Sequence, residues 1–320
     1  MNTLSADVAI NNCILCQAGF GILSNNFLFI HIVTHPQYHK PKLTDLICCH
    51  LALVHIIMLL TVLFWRSPDL FESLNFFNDF RCKALFYIIR VMRSLSICTT
   101  CFLSIIQAIT ISSSTSWLAQ LKHKSTHLIF FLSLLWFLCL CFSTSMIFYT
   151  VANSNVTQTN VMVITKYCSF FPISHSIRGL VFTLITSRDV FLIGVMLLSS
   201  VYMVILLLRH QRRSQYLHST SLSPRSSPEK RATQTILLLV SFFVVMHCVD
   251  FIISSSSIML WSYDSVILGI HDVVVSAYAT VSPLVLICSN KRLINFFQKC
   301  GKSISLSLSL LSRRKVIPLS

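Results

Sequence analysis

Acidic side chains are scarce in this chain. Only 10 of its 320 residues are Asp or Glu, and all charged types together make up 11%, where a soluble domain carries about a quarter. That leaves too little polar surface to face water on every side. Glycine is also rare, with six in the whole chain, and no Gly/Pro-broken pair of apolar segments recurs in two halves, as a secondary transporter would show. No HExxH and no Ser/His pair in register is present, so an enzyme is not expected. No Cys-x-x-Cys is matched by a second Cys or His pair, so neither a metal nor a cofactor is expected. No self-similarity of 20–50 residues occurs, which excludes solenoid arrays. The opening MNTLSADVAI has no basic residue, so the first apolar run is expected to stay as its own insertion signal rather than be cleaved.

What the chain has is apolar length. Its mean hydropathy is +0.74, and 54% of it is hydrophobic. A membrane-crossing helix needs about 17–25 mostly apolar residues. Seven runs qualify, over about 10–33, 44–65, 84–111, 128–152, 188–208, 233–256 and 266–289. Runs such as VILLL at 204–208 do not alternate, which argues against a β-barrel. The expected fold is an all-α, seven-helix membrane bundle over residues 1–292, with a tail over 293–320.

Lys and Arg collect beside the cytoplasmic ends of spans. Here Lys40, Lys42, Lys122, Lys124, a run from Arg209 to Arg231 and another from Lys291 to Lys315 fall on one side. The other side is sparser and diluted by Asp69, Glu72, Asp79, Asp189 and Asp264. The N-terminus is therefore expected outside and the tail in the cytoplasm, in a multi-pass protein of the plasma membrane. The net charge of +15 reads as topology. Split over separate segments beside the spans, it is not expected to bind nucleic acid. Of 13 cysteines, only Cys82 and Cys168 fall outside the bilayer on the extracellular side, where thiols pair. The triplet Asn155-Val156-Thr157 is a glycosylation acceptor in a loop on that same side.

Several strings carry a resemblance. They are GILSNNFL around Asn25, HLALVH over 50–55, QAITIS over 107–112, RDVFLIGVMLLSSVYMV from Arg188, SPEKRATQTILLLVSFFVV from Ser227, and YATVSPLVLICSNKR from Tyr278. Seven spans with a helix-3 cysteine paired to the second outer loop look like a G-protein-coupled receptor. His55 stands where rhodopsin-like receptors have aspartate, and QAITIS replaces their Asp-Arg-Tyr. The set resembles the vomeronasal type-1 receptors over most of the chain. That resemblance implies a pheromone-sensing receptor that binds a small molecule and activates a heterotrimeric G protein of the Gi class. A bitter-taste-type receptor shares the general pattern without QAITIS or SPEKRATQ, and a secondary transporter is the reading from a different class.

Two full charges, Arg90 and Arg93, sit inside the third span, about 12 and 16 Å below Cys82 at about 1.5 Å per residue. Arg90, Arg93, Ile97, Thr100, Ser104 and Gln107 recur at steps of three and four, one helix face. A charge in lipid costs about 2.5 kcal/mol or more, so this face is expected to point into the bundle. Asp250, Asp272 and His247 are the polar groups expected at a similar depth. Either the arginines pair with the carboxylates and hold the bundle together, or these residues, with Phe86, line an outward-opening cavity for a small ligand bearing an anionic group. Lower down, Asn25, His55 and Ser282 read as interhelical hydrogen-bond glue, and Pro283 as a hinge. On the cytoplasmic side Gln107, Arg212, Arg213, Lys230 and Arg231 are the expected G-protein contacts. KRLINFFQKC over 291–300 reads as a short interfacial helix with Cys300 open to palmitoylation. Asn155→Gln should remove a glycan, seen as faster gel migration that glycosidase treatment no longer changes; equal mobility of wild type and variant would contradict it.

Overall fold

The computed structural model describes residues 3–34, 43–66, 79–111, 125–144, 147–148, 150–152, 162–163, 168–170, 175–217, 228–260 and 265–289. Seven long helices dominate it: α1 (Thr3–Thr34), α2 (Leu43–Arg66), α3 (Asp79–Ile111), α4 (Ser125–Ser143), α5 (His175–Leu217), α6 (Pro228–Leu260) and α7 (Ser265–Ser289). Six of these are long and apolar enough to cross a membrane, and the apolar run of α4, Ile129–Ser143, is shorter. Unbroken apolar sequence drives them, since in hydrocarbon a backbone satisfies its polar groups only by closing its own helical bonds. Proline marks several ends. Pro36 and Pro68 follow α1 and α2, and Pro228 opens α6, the position where its missing N–H costs nothing.

Helix α3 is the hub, packing on α2, α4, α5 and α6, while α1 closes against α2 and α7. Its inward residues Leu95, Ile97 and Leu103 are almost wholly buried, as are Met58 and Leu59 of α2, Met196 and Met203 of α5, and Leu239 and Phe243 of α6. Large apolar side chains point outward where lipid would lie, such as Phe130 and Phe137 on α4 and Phe191 and Leu198 on α5. The α1 contact is close because Gly21 has no side chain. A Cβ there would stand 2.7 Å from Leu59 Cδ1 and 2.8 Å from Thr280 Oγ1.

Two expected spans differ from the observed helices. The fourth does not run to 152. It stops at Ser143, the chain turns through bonds from Thr144 N to Cys141 O and from Ile147 N to Thr144 O, and Thr150–Ala152 is a strand. Thr144 Oγ1 donates back to Leu140 O at 3.0 Å in this last turn, and Thr150-Val151 are β-branched, which suits a strand. The fifth starts well before 188, at His175. Arg188 and Asp189 looked like a charged flank, but they neutralise each other and the helix runs through them.

The end of the bundle that holds Cys82 also carries a small antiparallel sheet, β1 (Thr150–Ala152), β2 (Met162–Val163) and β3 (Cys168–Phe170), in the order β1-β3-β2. Cys168 on β3 is disulfide-bonded to Cys82 on the first turn of α3, with Cα atoms 5.9 Å apart and a sequence separation of 86. A loop of that length closed by a covalent bond loses much of its freedom in the unfolded state, and the sheet is anchored to the hub helix. Asn155 lies outside the described residues, as do Cys300, the 291–300 segment and the tail.

The Gly21 contact gives a direct check. Gly21→Val should overpack the α1–α2–α7 seam and destabilise the protein by about 1–3 kcal/mol. Gly19→Val, at a position with nothing within 4 Å, should leave thermal unfolding nearly unchanged. Equal unfolding temperatures for the two variants would contradict the seam.

Candidate functional site

Charged groups form a chain across four helices near the disulfide half of the bundle. On α3, Arg93 is ion-paired with Asp250 of α6. The other oxygen of Asp250, Oδ1, stands 2.9 Å from Nε2 of His271 on α7, near but not aligned as a hydrogen bond. His271 Nδ1 is 3.9 Å from Asp272 Oδ1. Asp272 in turn accepts from Arg66 at the end of α2, with Nε and Nη2 at 2.9 and 2.5 Å from Oδ2. The Asp250 side chain is only 8% exposed. A carboxylate so shielded persists because a guanidinium and an imidazole face it.

The sequence expected both carboxylates to face Arg90 and Arg93. The structure gives Asp250 to Arg93 and corrects the other pairing: Asp272 belongs to Arg66. The correction has a simple cause. Arg66 reads as a loop charge beyond the second span, but the helix includes it and brings it against α7. Helical continuity past the apolar run was the signal that would have found it.

Arg93 and Asp250 border a cleft between α2, α3, α6 and α7. Met58, Ile97, Phe243, Val274, Val275 and Tyr278 supply its apolar wall, and His247 and Ser96 its other polar groups. The cleft is tight: about 30 Å³ of it can hold the centre of a water molecule, room for about two waters. Arg93 and Asp250 both line it, so their ion pair forms part of its wall. His247 lies against the Phe243 ring, centroids 4.3 Å apart.

Phe86 and Arg90 do not line this cleft. Phe86 packs edge-on against Trp65, ring centroids 4.5 Å apart, beside the Cys82–Cys168 bond; the expected ligand wall is here a support for the disulfide. Arg90 lies toward α5, within electrostatic reach of Arg93, Arg188 and Asp189. There Arg188 donates from Nε and Nη2 to Asp189 Oδ1 at 2.9 and 2.6 Å and from Nη1 to Ser94 Oγ at 3.0 Å.

Below the cleft a neutral network joins the helices. His55, fully buried, bonds through Nε2 to Ser96 Oγ at 2.9 Å and through Nδ1 to Ser282 Oγ at 3.0 Å. The Tyr278 ring meets His55 edge-on at 5.4 Å, and its hydroxyl pairs with Thr100 at 3.0 Å. Asn25 Nδ2 donates to Gly21 O and Ala279 O, both at 2.8 Å, tying α1 to α7. His50 accepts the Trp136 indole N–H on Nε2 at 2.8 Å. Indole only donates, so the His50 proton sits on Nδ1 and points to Thr99 Oγ1, 3.2 Å away. Ser282 precedes Pro283, so the His55 contact grips α7 at the place where proline removes a backbone bond.

At the opposite end, Gln107 is 6% exposed. It is a bundle residue here rather than a surface contact, because the polar seam that contains it turns inward along its whole length. Arg212 and Arg213 lie on the last turns of α5, and Lys230 and Arg231 on the first turn of α6; their side chains fall outside the described part.

Residues 8–299 match the vomeronasal organ pheromone receptor family. The chain is 42% identical over 294 residues to vomeronasal type-1 receptor 45 of Mus musculus, covering 90% of this chain and 91% of the relative. It is 45% identical over 280 residues to vomeronasal type-1 receptor 90 of Rattus norvegicus, covering 87% and 90%. Vomeronasal type-1 receptor A11 of Mus musculus is 42% identical over 294 residues, covering 90% and 91%.

The Arg66–Asp272 pair yields a test of the charge chain. Arg66→Ala should leave Asp272 without its guanidinium and lower stability by about 1–3 kcal/mol. Adding Asp272→Asn should restore most of the unfolding temperature. If the second change deepens the loss, Asp272 is not held by Arg66.

Proposed function

The chain belongs to the vomeronasal organ pheromone receptor family, and from that premise we propose that this multi-pass receptor binds a small pheromone-like molecule in the cleft beside Arg93 and activates a heterotrimeric G protein of the Gi class. The N-terminus and the disulfide end face outward in this reading, and the α5–α6 connection faces the cytoplasm.

One observation carries the proposal: an ion pair between α3 and α6, Arg93 with Asp250, at the edge of a cleft too tight for a ligand. A ligand shifts an equilibrium only by binding its two states differently. A molecule that enters the cleft must part or displace this pair, so it binds the opened bundle better than the closed one. Freed from α3, α6 can swing. The apolar wall of Ile97, Phe243 and Tyr278 then supplies contact for the body of the ligand, with His247 and Ser96 as hydrogen-bond partners. Movement of α6 uncovers the inner end of α3 at Gln107 and separates the basic ends of α5 and α6, where the G protein docks. Pro283, next to the Ser282–His55 bond, lets α7 follow.

The experiment is a screen of small organic molecules on cells that express the receptor, with and without pertussis toxin. The response should vanish with the toxin; one that persists would overturn the Gi assignment. Neutralising Arg212, Arg213, Lys230 and Arg231 together should cut the maximal response severalfold at equal surface level and leave ligand binding intact. An unchanged response would remove these residues from the docking surface.

A further inference from the structure

We infer that Arg90, Arg188 and Ser94 form an anion subsite between α3 and α5, beside the Arg93–Asp250 cleft, that receives the oxyanion end of a small organic ligand. It deepens the receptor reading by naming the ligand's charged group and where that group docks.

The argument starts from pairing. Arg66, Arg90, Arg93 and Arg188 lie within the described helices at this level of the bundle, and the carboxylates among them are Asp189, Asp250 and Asp272. Each carboxylate already holds one guanidinium: Asp272 holds Arg66, Asp250 holds Arg93, and Asp189 holds Arg188. Arg90 is left over. Among the described residues it has no ion pair and no hydrogen bond, and the charges that act on it are Arg93, Arg188 and Asp189, two of them repulsive. Arginine cannot escape by losing its proton. A half-buried guanidinium beside two others needs an acceptor.

Geometry says where that acceptor goes. Ser94 follows Arg90 by four residues, so both lie on one face of α3. Arg188 of α5 reaches that face and donates to Ser94 Oγ at 3.0 Å. Arg90 and Arg188 therefore converge on the same strip between the helices, with Ser94, 1% exposed, as its floor. Asp189 offsets one of the two charges and leaves the strip positive by one. Two guanidiniums and a hydroxyl make a donor set matched to the several oxygens of a carboxylate, sulfonate, sulfate or phosphate. The cleft beside Arg93 would take the apolar body of the same molecule. A lipid headgroup presents the same chemistry, but the strip lies beside the cleft and inside the helix packing, which favours a soluble ligand.

The test uses the full receptor, purified in maltoside micelles that contain no phosphate. Thermal unfolding is followed with naphthalene-1-sulfonate and with its neutral twin, naphthalene-1-methanol, and separately with added phosphatidylglycerol. The sulfonate should stabilise wild type saturably, at concentrations about ten- to hundredfold lower than the neutral twin. Arg90→Gln should bring the two within about twofold, Arg90→Lys should keep part of the preference because the charge stays and the fork is lost, and Arg188→Gln should weaken it. No preference in wild type, or a preference that survives Arg90→Gln, would overturn the subsite. Arg90-dependent stabilisation by the lipid alone would also overturn it as a ligand site. Because the micelle holds no G protein, these results stand apart from the toxin experiment: signalling that ignores Arg90 sinks the subsite alone, and an Arg90-dependent preference without signalling sinks the receptor reading alone.

Discussion

The ion pair between Arg93 and Asp250 is the constraint on which the rest of the bundle turns. Neither group tolerates hydrocarbon alone, so α3 and α6 must meet where these residues sit. Removing one partner of a buried pair costs about 3–5 kcal/mol, because the other charge stays behind. That single contact fixes the relative depth and rotation of the two helices. Both residues also line the cleft between these helices. The polar groups beyond it, His271, Asp272 and Arg66, carry the tie onward to α7 and α2.

Other contacts hold α3 so that this pair can form. The Cys82–Cys168 bond anchors its first turn to the small sheet. Below, His55 bridges Ser96 on α3 to Ser282 on α7, a neutral contact at the place where an aspartate would have brought another charge. Close packing at Gly21 brings α1 against both α2 and α7. The inner half of α3 is held by apolar packing and by neutral hydroxyl contacts, such as Ser104 with Ser199, which part more readily than buried charges. The ion pairs thus gather in the disulfide half of the bundle, and neutral contacts hold the opposite end.

Much of this was legible in the sequence. Too few charges for a water-facing surface pointed to a membrane, and seven apolar runs pointed to the bundle. The three- and four-residue spacing of Arg90, Arg93, Thr100, Ser104 and Gln107 put one polar seam on α3. The disulfide followed from two cysteines on the extracellular side, one at the start of the third helix and one in the loop after the fourth. What the sequence could not settle was partner choice. Asp250 and Asp272 are both single carboxylates at plausible depth, and only the placement of α2 sends Asp272 to Arg66. Arg188 and Asp189 were misread because neighbouring opposite charges look like a helix flank, whereas they cancel and sit well inside α5. Phe86 has the composition of a cavity wall and instead supports the disulfide, a distinction that depends on how α3 is rotated about its own axis.

The most direct test of the central claim is a double-mutant cycle on Arg93 and Asp250, read by thermal unfolding of the purified receptor. Arg93→Ala and Asp250→Ala should each lower the unfolding temperature strongly, since each leaves one buried charge unmatched. The double variant should unfold at a higher temperature than either single variant, because it leaves none. Losses that simply add would show that the two residues do not hold each other, and the account of a closed bundle tied at this pair would fail.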